Sequence, residues 1–170
     1  SIVGCTSLLA LPESITRLTS LESLEVYVTG ITTVPNNLFD LDNLERVKIR
    51  MNPQLTKLPE DLGTGPKLKF VMIDQNRLVE LPSSFGRLTN LEVMYADENK
   101  LRDIPEELCT IDTLEELSLA QNRLTSLCTN LGSLRSLRWL NLFGNPLSTL
   151  PESMESIPNL RCLNLWDVPF

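Results

Sequence analysis

Apolar residues follow one another along this chain in two alternating rhythms. In stretches such as Met94-Tyr95-Ala96 and Leu117-Ser118-Leu119 they occupy every second position. Period two sends alternate side chains to opposite faces of an extended strand. Leu117 and Leu119 are therefore expected to point inward, with Glu116, Ser118 and Ala120 outward. In stretches such as Pro105, Leu108, Ile111, Leu114 the apolar spacing becomes three. That spacing predicts short helical or 3₁₀ pieces. Proline at the head of each such stretch suits an extended turn or the first position of a helical turn.

The alternation is periodic. The pairs Leu11-Pro12, Val34-Pro35, Leu58-Pro59, Leu81-Pro82, Ile104-Pro105, Leu127-Cys128 and Leu150-Pro151 are separated by steps of 23, 24, 23, 23, 23 and 23 residues. Each step carries the pattern LxxLxLxxNxLxxLPxxLxxLxx. About six copies are near-complete, with a partial copy at each end, so residues 1–170 read as one repeat domain. One strand cannot bury its apolar side alone. Neighbouring coils must stack at about 4.8 Å to form a parallel sheet, and bulkier helical turns on the other side bend the stack with the sheet inside.

An asparagine recurs just after the strand, at Asn52, Asn76, Asn99, Asn122 and Asn145, with Thr6 and Thr29 at that position in the first two coils. A buried amide there must be hydrogen-bonded. The expectation is a structural ladder that ties each coil to its neighbour. Two irregularities fall together: Asn52-Pro53-Gln54-Leu55 holds one extra residue, and Gly65 stands where every other copy has Leu or Ile. They read as a tolerated bulge with a thinned core, or as a kink reshaping the sheet near residues 46–51.

These residues carry a resemblance to leucine-rich-repeat proteins of the 23-residue class with Leu-Pro pairs. The pattern is similar to repeats of intracellular signalling scaffolds of the Ras-suppressor and Scribble type; bacterial effectors use similar ones. The resemblance implies a leucine-rich-repeat solenoid of the α/β class: a right-handed β-α superhelix with a concave parallel sheet, short helical or 3₁₀ turns on the convex side, and protein ligands on the concave face. Cys128 for Pro, Gly65 for Leu and Val168 for the last Asn depart from it.

Composition narrows the chemistry. The absence of histidine removes Ser-His-Asp and Cys-His catalysis and Cys/His zinc sites. No phosphate-cradling glycine loop is present, and carboxylate pairs such as Glu106-Glu107 read as solvated faces. The expectation is no enzyme, no cofactor, no metal site and no small-molecule substrate. A net charge of -7 argues against phosphate-directed nucleic-acid binding and against anionic membranes. Cys5, Cys109, Cys128 and Cys162 are dispersed, no Asn-x-Ser/Thr acceptor occurs, and a reducing, cytoplasmic setting is expected, with a secreted effector as the alternative. The solenoid lacks obvious caps, so the chain reads as part of a longer one, as a stack whose open end Trp166 and Phe170 fold back to cover, or as one of two molecules that cover each other.

Three zones are expected on the outward strand positions. Arg46, Lys48 and Arg50 form a basic strand. Asp74 and Asp97, with Glu98, form an acidic ridge. Trp139, Phe143 and Trp166 form an aromatic patch, with Phe70, Met72 and Tyr95 further back. Phe143 and Trp166 are at equivalent positions of adjacent strands, so their rings should lie about 5 Å apart. Exposed aromatics and arginines are typical of interface hot spots. Cross-strand stabilisation and burial by further sequence remain alternative readings of the aromatics. The reading that follows is a scaffold binding a protein partner on its concave face in intracellular signalling or assembly. The alternatives are a secreted or delivered recognition module and a regulatory segment of a larger enzyme.

Overall fold

A computed structural model describes residues 1–169. Eight parallel strands form one open sheet in strict sequence order. They are β1 (Ile2–Val3), β2 (Ser23–Tyr27), β3 (Arg46–Arg50), β4 (Phe70–Met72), β5 (Val93–Tyr95), β6 (Glu116–Ser118), β7 (Trp139–Asn141) and β8 (Cys162–Asn164). Every step of the chain climbs one coil, so each strand from β2 to β7 pairs with the one before and the one after. The architecture is a right-handed leucine-rich-repeat solenoid, with the sheet on the concave side and 3₁₀ turns on the convex side.

The inward leucines make one continuous core along the stack, from Leu11 to Ile157. Leu117, Leu119, Leu140 and Leu142 have no solvent exposure. Burying such a side chain is worth about 1.5–3 kcal/mol, and this contribution recurs in every coil.

The Asn ladder supplies the polar half of the inter-coil bonding. Asn99 Nδ2 donates to the carbonyls of Ile73 and Ala96 at 3.0 and 3.1 Å, while its Oδ1 accepts from the Leu78 amide at 3.0 Å. Asn122 and Asn145 repeat this one coil further on, through the Leu101 and Leu124 amides, both at 3.1 Å. Each amide thus binds its own coil and the preceding one.

The ladder takes a different form across the extra residue and one coil before it, while the sheet is unchanged. Asn76 Oδ1 accepts from the Asn52 amide at 2.9 Å, rather than from an amide two residues further on. The Thr29 amide and hydroxyl both donate to Asn52 Oδ1, at 3.0 and 2.7 Å. The register crosses the insertion intact, with Arg46 beside Phe70 and Lys48 beside Met72. The insertion is absorbed in the loop, where the Leu55 amide returns to the Asn52 carbonyl at 3.0 Å. The kinked-sheet expectation therefore gives way to the tolerated bulge.

Short 3₁₀ segments cover the convex side at Glu13–Arg17, Leu38–Asp40, Ser83–Arg87, Glu106–Thr110, Leu131–Ser133 and Glu152–Ser156. The coil from Pro59 to Pro66 departs from expectation and has none. Its backbone runs extended against the preceding coil instead: Asn37 and Phe39 donate to the carbonyls of Asp61 and Leu62 at 2.9 and 2.7 Å. Asp40 Oδ1 accepts from the Thr64 amide at 2.7 Å. Leu88 and Leu68 occupy the space that a leucine at Gly65 would need, within 2.9 Å of where its Cβ would stand. Phe39 and Phe85, both buried, meet edge to face at 6.2 Å. The core is repacked rather than thinned.

Two cysteines read from sequence as separate are joined. Cys109, on the convex segment of one coil, and Cys128, which replaces the turn proline of the next, form a disulfide with their Cα atoms 6.6 Å apart. Both are buried. Dispersal in sequence concealed the pairing because stacking brings residues about one repeat apart together. Cys5 and Cys162 are exposed free thiols.

At the ends of the stack core positions lie open: Leu18 at one end and Leu163 at the other are exposed. The expected fold-back cap is not formed by Trp166, which stacks on Phe143 instead; Phe170 lies outside the described residues. Among the described residues no helix is long and apolar enough to cross a membrane, and no cluster of three metal-ligating side chains occurs.

Candidate binding face on the concave sheet

The strand pleat alone decides which side chains line the concave face. Alternate residues of β3 to β8 project there, and the parallel register sets equivalent positions side by side. Phe70, Val93, Glu116, Trp139 and Cys162 make one row, and Met72, Tyr95, Ser118, Asn141 and Asn164 the next.

The basic strand is largely neutralised. Lys48 Nζ pairs with Glu25 Oε1 on β2 at 3.0 Å, and the lysine's hydrogen bond holds the Glu25 carboxyl below its usual range. Arg50 Nε lies 3.4 Å from Asp74 Oδ2, within ion-pairing range but without hydrogen-bond alignment. Arg46 is exposed and takes part in no ion pair with the described residues. Three cations on one strand are thus one free charge and two pairs.

The acidic ridge is only partly a surface feature. Asp74 is buried, 6% exposed, and Asp97 is half-buried. Each continues the ladder principle at the strand ends. Asp74 Oδ1 accepts from the Asp97 amide at 3.1 Å, and Asp97 Oδ1 from the Ala120 amide at 2.8 Å and the Ser118 hydroxyl at 2.5 Å. Burial, then the neighbouring Asp97 charge, pushes the Asp74 carboxyl up to about 6. Burial likewise raises Asp97, against the hydrogen bonds that lower it. Ser118 and Ala120, expected to face out into solvent, are buried. Ser118 lies between Asp97 and Asn141, whose Nδ2 donates to its hydroxyl at 3.1 Å.

The aromatics form two groups. Phe70, Tyr95 and Trp139 make an edge-to-face chain with centroid spacings of 5.9 and 6.0 Å. It crosses from β4 to β7, passing Glu116, which accepts a hydrogen bond from the Tyr95 hydroxyl. Burial and that bond raise the Tyr95 phenol. Phe143 and Trp166 are stacked at 5.1 Å with their planes 12° apart, close to the separation expected from strand spacing. Trp166 is 75% exposed. The link from Tyr95 to Trp139 was not foreseen from the sequence. It joins rings two strands apart, across β6.

Measured against known proteins, the chain belongs to the leucine-rich repeat proteins: the family model for a leucine-rich repeat region matches residues 47–169. Solved structures agree in fold. A leucine-rich repeat protein of Leptospira interrogans superposes with a TM-score of 0.72 at 26% identity, covering 95% of this chain and 47% of that one. The ectodomain of the Arabidopsis thaliana receptor kinase GASSHO1/SCHENGEN3, in complex with CASPARIAN STRIP INTEGRITY FACTOR 2, gives 0.77 at 29% identity, over 89% of this chain and 19% of the receptor. TLR13, in a complex with the single-stranded RNA ssRNA13, gives 0.82 at 27% identity, over 95% of this chain and 24% of that one. The chain therefore spans less than half the length of these structures. No curated protein sequence matches it significantly.

Proposed function

We propose that this chain is a protein-binding module, not an enzyme, and that its partner docks on the concave sheet through Trp139, Phe143 and Trp166, with Phe70, Met72 and Tyr95 extending the contact. The observation that carries this is the aromatic surface itself: an edge-to-face chain over β4 to β7, and a stacked pair just beyond β7 and β8. Aromatic side chains held rigid by one another bind with little further loss of rotamer entropy. Arg46, with Lys48 and Arg50 behind it, would contact the rim. The repeat length and Leu-Pro pairs favour a scaffold of the Ras-suppressor and Scribble type, acting in signalling or assembly.

A secreted or delivered recognition module is the second reading, and the Cys109–Cys128 disulfide favours it, since structural disulfides persist chiefly outside reducing compartments. A regulatory segment of a larger enzyme fits the same surface but gains no observation of its own. A similar structure, that of TLR13, holds an RNA, so nucleic acid is not foreign to this fold. The exclusion drawn from a charge of -7 therefore falls. What favours protein is local: Lys48 and Arg50 already have carboxylate partners, and counterion release needs free cations.

The test is affinity capture from a lysate of the source organism with the unaltered chain and with Trp139→Ala, Phe143→Ala, Trp166→Ala combined, after circular dichroism shows both folded. Loss of a protein by the triple variant supports the reading. Identical capture by both transfers attention to Arg46, Lys48 and Arg50.

A further inference from the structure

The centre of the concave face carries carboxylates that the molecule leaves without cations. Among the described residues the ion pairs are Lys48–Glu25, Arg50–Asp74, Lys57–Glu80, Lys69–Glu92, Arg87–Asp61 and Arg138–Glu115. Asp97, Glu98 and Glu116 are in none of them. Each is nevertheless held in place by a neutral donor. Ser118 and the Ala120 amide bind Asp97 Oδ1, Gln75 Nε2 donates to Glu98 Oε1 at 3.1 Å, and the Tyr95 hydroxyl donates to Glu116 Oε2. The second oxygen of each carboxylate accepts no hydrogen bond from the described residues. Arg50 is the cation that acts on Asp97, and it already lies beside Asp74.

Asp97 and Glu116 lie beside an aromatic floor, with Glu98 in the turn that follows β5. Tyr95 lies two residues before Asp97 on the same face, about 6.6 Å along the strand, and its ring sits between those of Phe70 and Trp139. A planar cation stacked on such rings would reach a carboxylate fork at its edge. Guanidinium does both: it stacks on aromatic faces and donates bidentately to carboxylates. Half-buried negative charge without a counterion is costly, and an incoming cation relieves that cost.

We propose that the sheet between β4 and β7 docks a partner segment presenting a cationic side chain, arginine above lysine, onto Tyr95 and toward Asp97, Glu98 and Glu116. The proposal rests on the concave face being the binding surface and adds the chemistry of what it takes: a positively charged peptide segment. An acidic segment is excluded here and would be drawn instead toward Arg46.

The probe is a random heptapeptide library panned against the folded chain, followed by affinity measurement of the selected peptides at low and at physiological salt. The variants are Asp97→Asn, Glu98→Gln and Glu116→Gln, which keep the acceptors for Ala120, Gln75 and Tyr95 and so keep the fold. The expected result is enrichment of arginine, with binding weakened at least about tenfold by the combined carboxamide variant and by added salt. Peptides lost with Trp139→Ala but indifferent to the carboxamides would overturn the proposal and leave the concave-face reading standing. Peptides indifferent to both sets of variants would remove both. Retention of no peptide would overturn the cationic segment, while docking of a folded partner keeps its own capture experiment.

Discussion

At the scale of single residues, the polar side chains of this solenoid mostly serve backbone groups that stacking would otherwise strand. Asn99 satisfies one amide and up to three carbonyls. Asn99→Leu should therefore cost about 1–3 kcal/mol, read as a lower urea midpoint; an unchanged midpoint would mean that water replaces the amide. The ladder was legible in sequence because an amide that recurs at one register must serve backbone groups that recur with it. A second recurrence was not. Gly4, Val28, Met51, Gln75, Glu98, Gln121, Gly144 and Asp167 all have left-handed backbone, at φ values between 52° and 71°. Leucine spacing reports burial, not φ, and only the two glycines hinted at this turn. Val28, β-branched and exposed at φ 53°, is the strained member. Val28→Asn is expected to stabilise the fold by about 1 kcal/mol, seen as a higher thermal midpoint.

Asp74 gives a pH signature at the same scale. Its carboxyl, raised to about 6 chiefly by burial, binds protons more tightly folded than unfolded. Its ionisation thus costs stability as pH rises from about 4 through 6, and that loss is complete above 6. Asp74→Asn keeps the acceptor for the Asp97 amide and removes the charge. The variant should gain on the unaltered chain by roughly 1–2 kcal/mol between pH 5 and 7.5, as a widening gap between their thermal midpoints. A gap that is constant with pH would mean that the Arg50 pairing, not burial, governs the group.

At the scale of the element, each coil is a strand, a turn and a convex segment, and only the first two are uniform. The i, i+3 pattern found the 3₁₀ turns where the convex segment keeps its leucines. It failed from Pro59 to Pro66, where Gly63 sits so close to Asp40 that a Cβ would fall 2.5 Å from its carboxyl carbon. Close approach lets backbone pair with backbone, and two inter-coil bonds replace the turn. The Cys109–Cys128 link is a device of the same kind, joining one convex segment to the next coil at a sequence separation of 19. Thiol titration of the denatured protein without reductant should find two free thiols, Cys5 and Cys162. Reduction should cost about 3 kcal/mol for a loop of this length. Four free thiols before reduction would disprove the bond.

At the scale of the whole molecule, every coil touches only its neighbours, so stability is a sum of coil and interface contributions. Within the described stack the two outermost coils have one neighbour each and open core positions, Leu18 at one end and Leu163 at the other. Hydrogen exchange should therefore be fastest in β1 and β8 and slowest in β4 to β6, where both neighbours and the intact ladder are present. Uniform exchange across all strands would mean that the stack opens as one unit.

What the sequence determined by itself was everything that repeats. Period two, period three and the 23-residue step are local, and they dictate strand, turn and stacking direction without reference to anything distant. The same register arithmetic sufficed to put Phe143 beside Trp166. What only the tertiary structure decided was how unlike residues meet across coils: Cys109 with Cys128, Tyr95 with Trp139 across β6, Lys48 and Arg50 with the carboxylates that neutralise them. Those contacts depend on side-chain size, reach and burial, which vary from coil to coil while the pattern does not. For that reason the shape of the face was legible in the sequence, and the charge it presents to a partner was not.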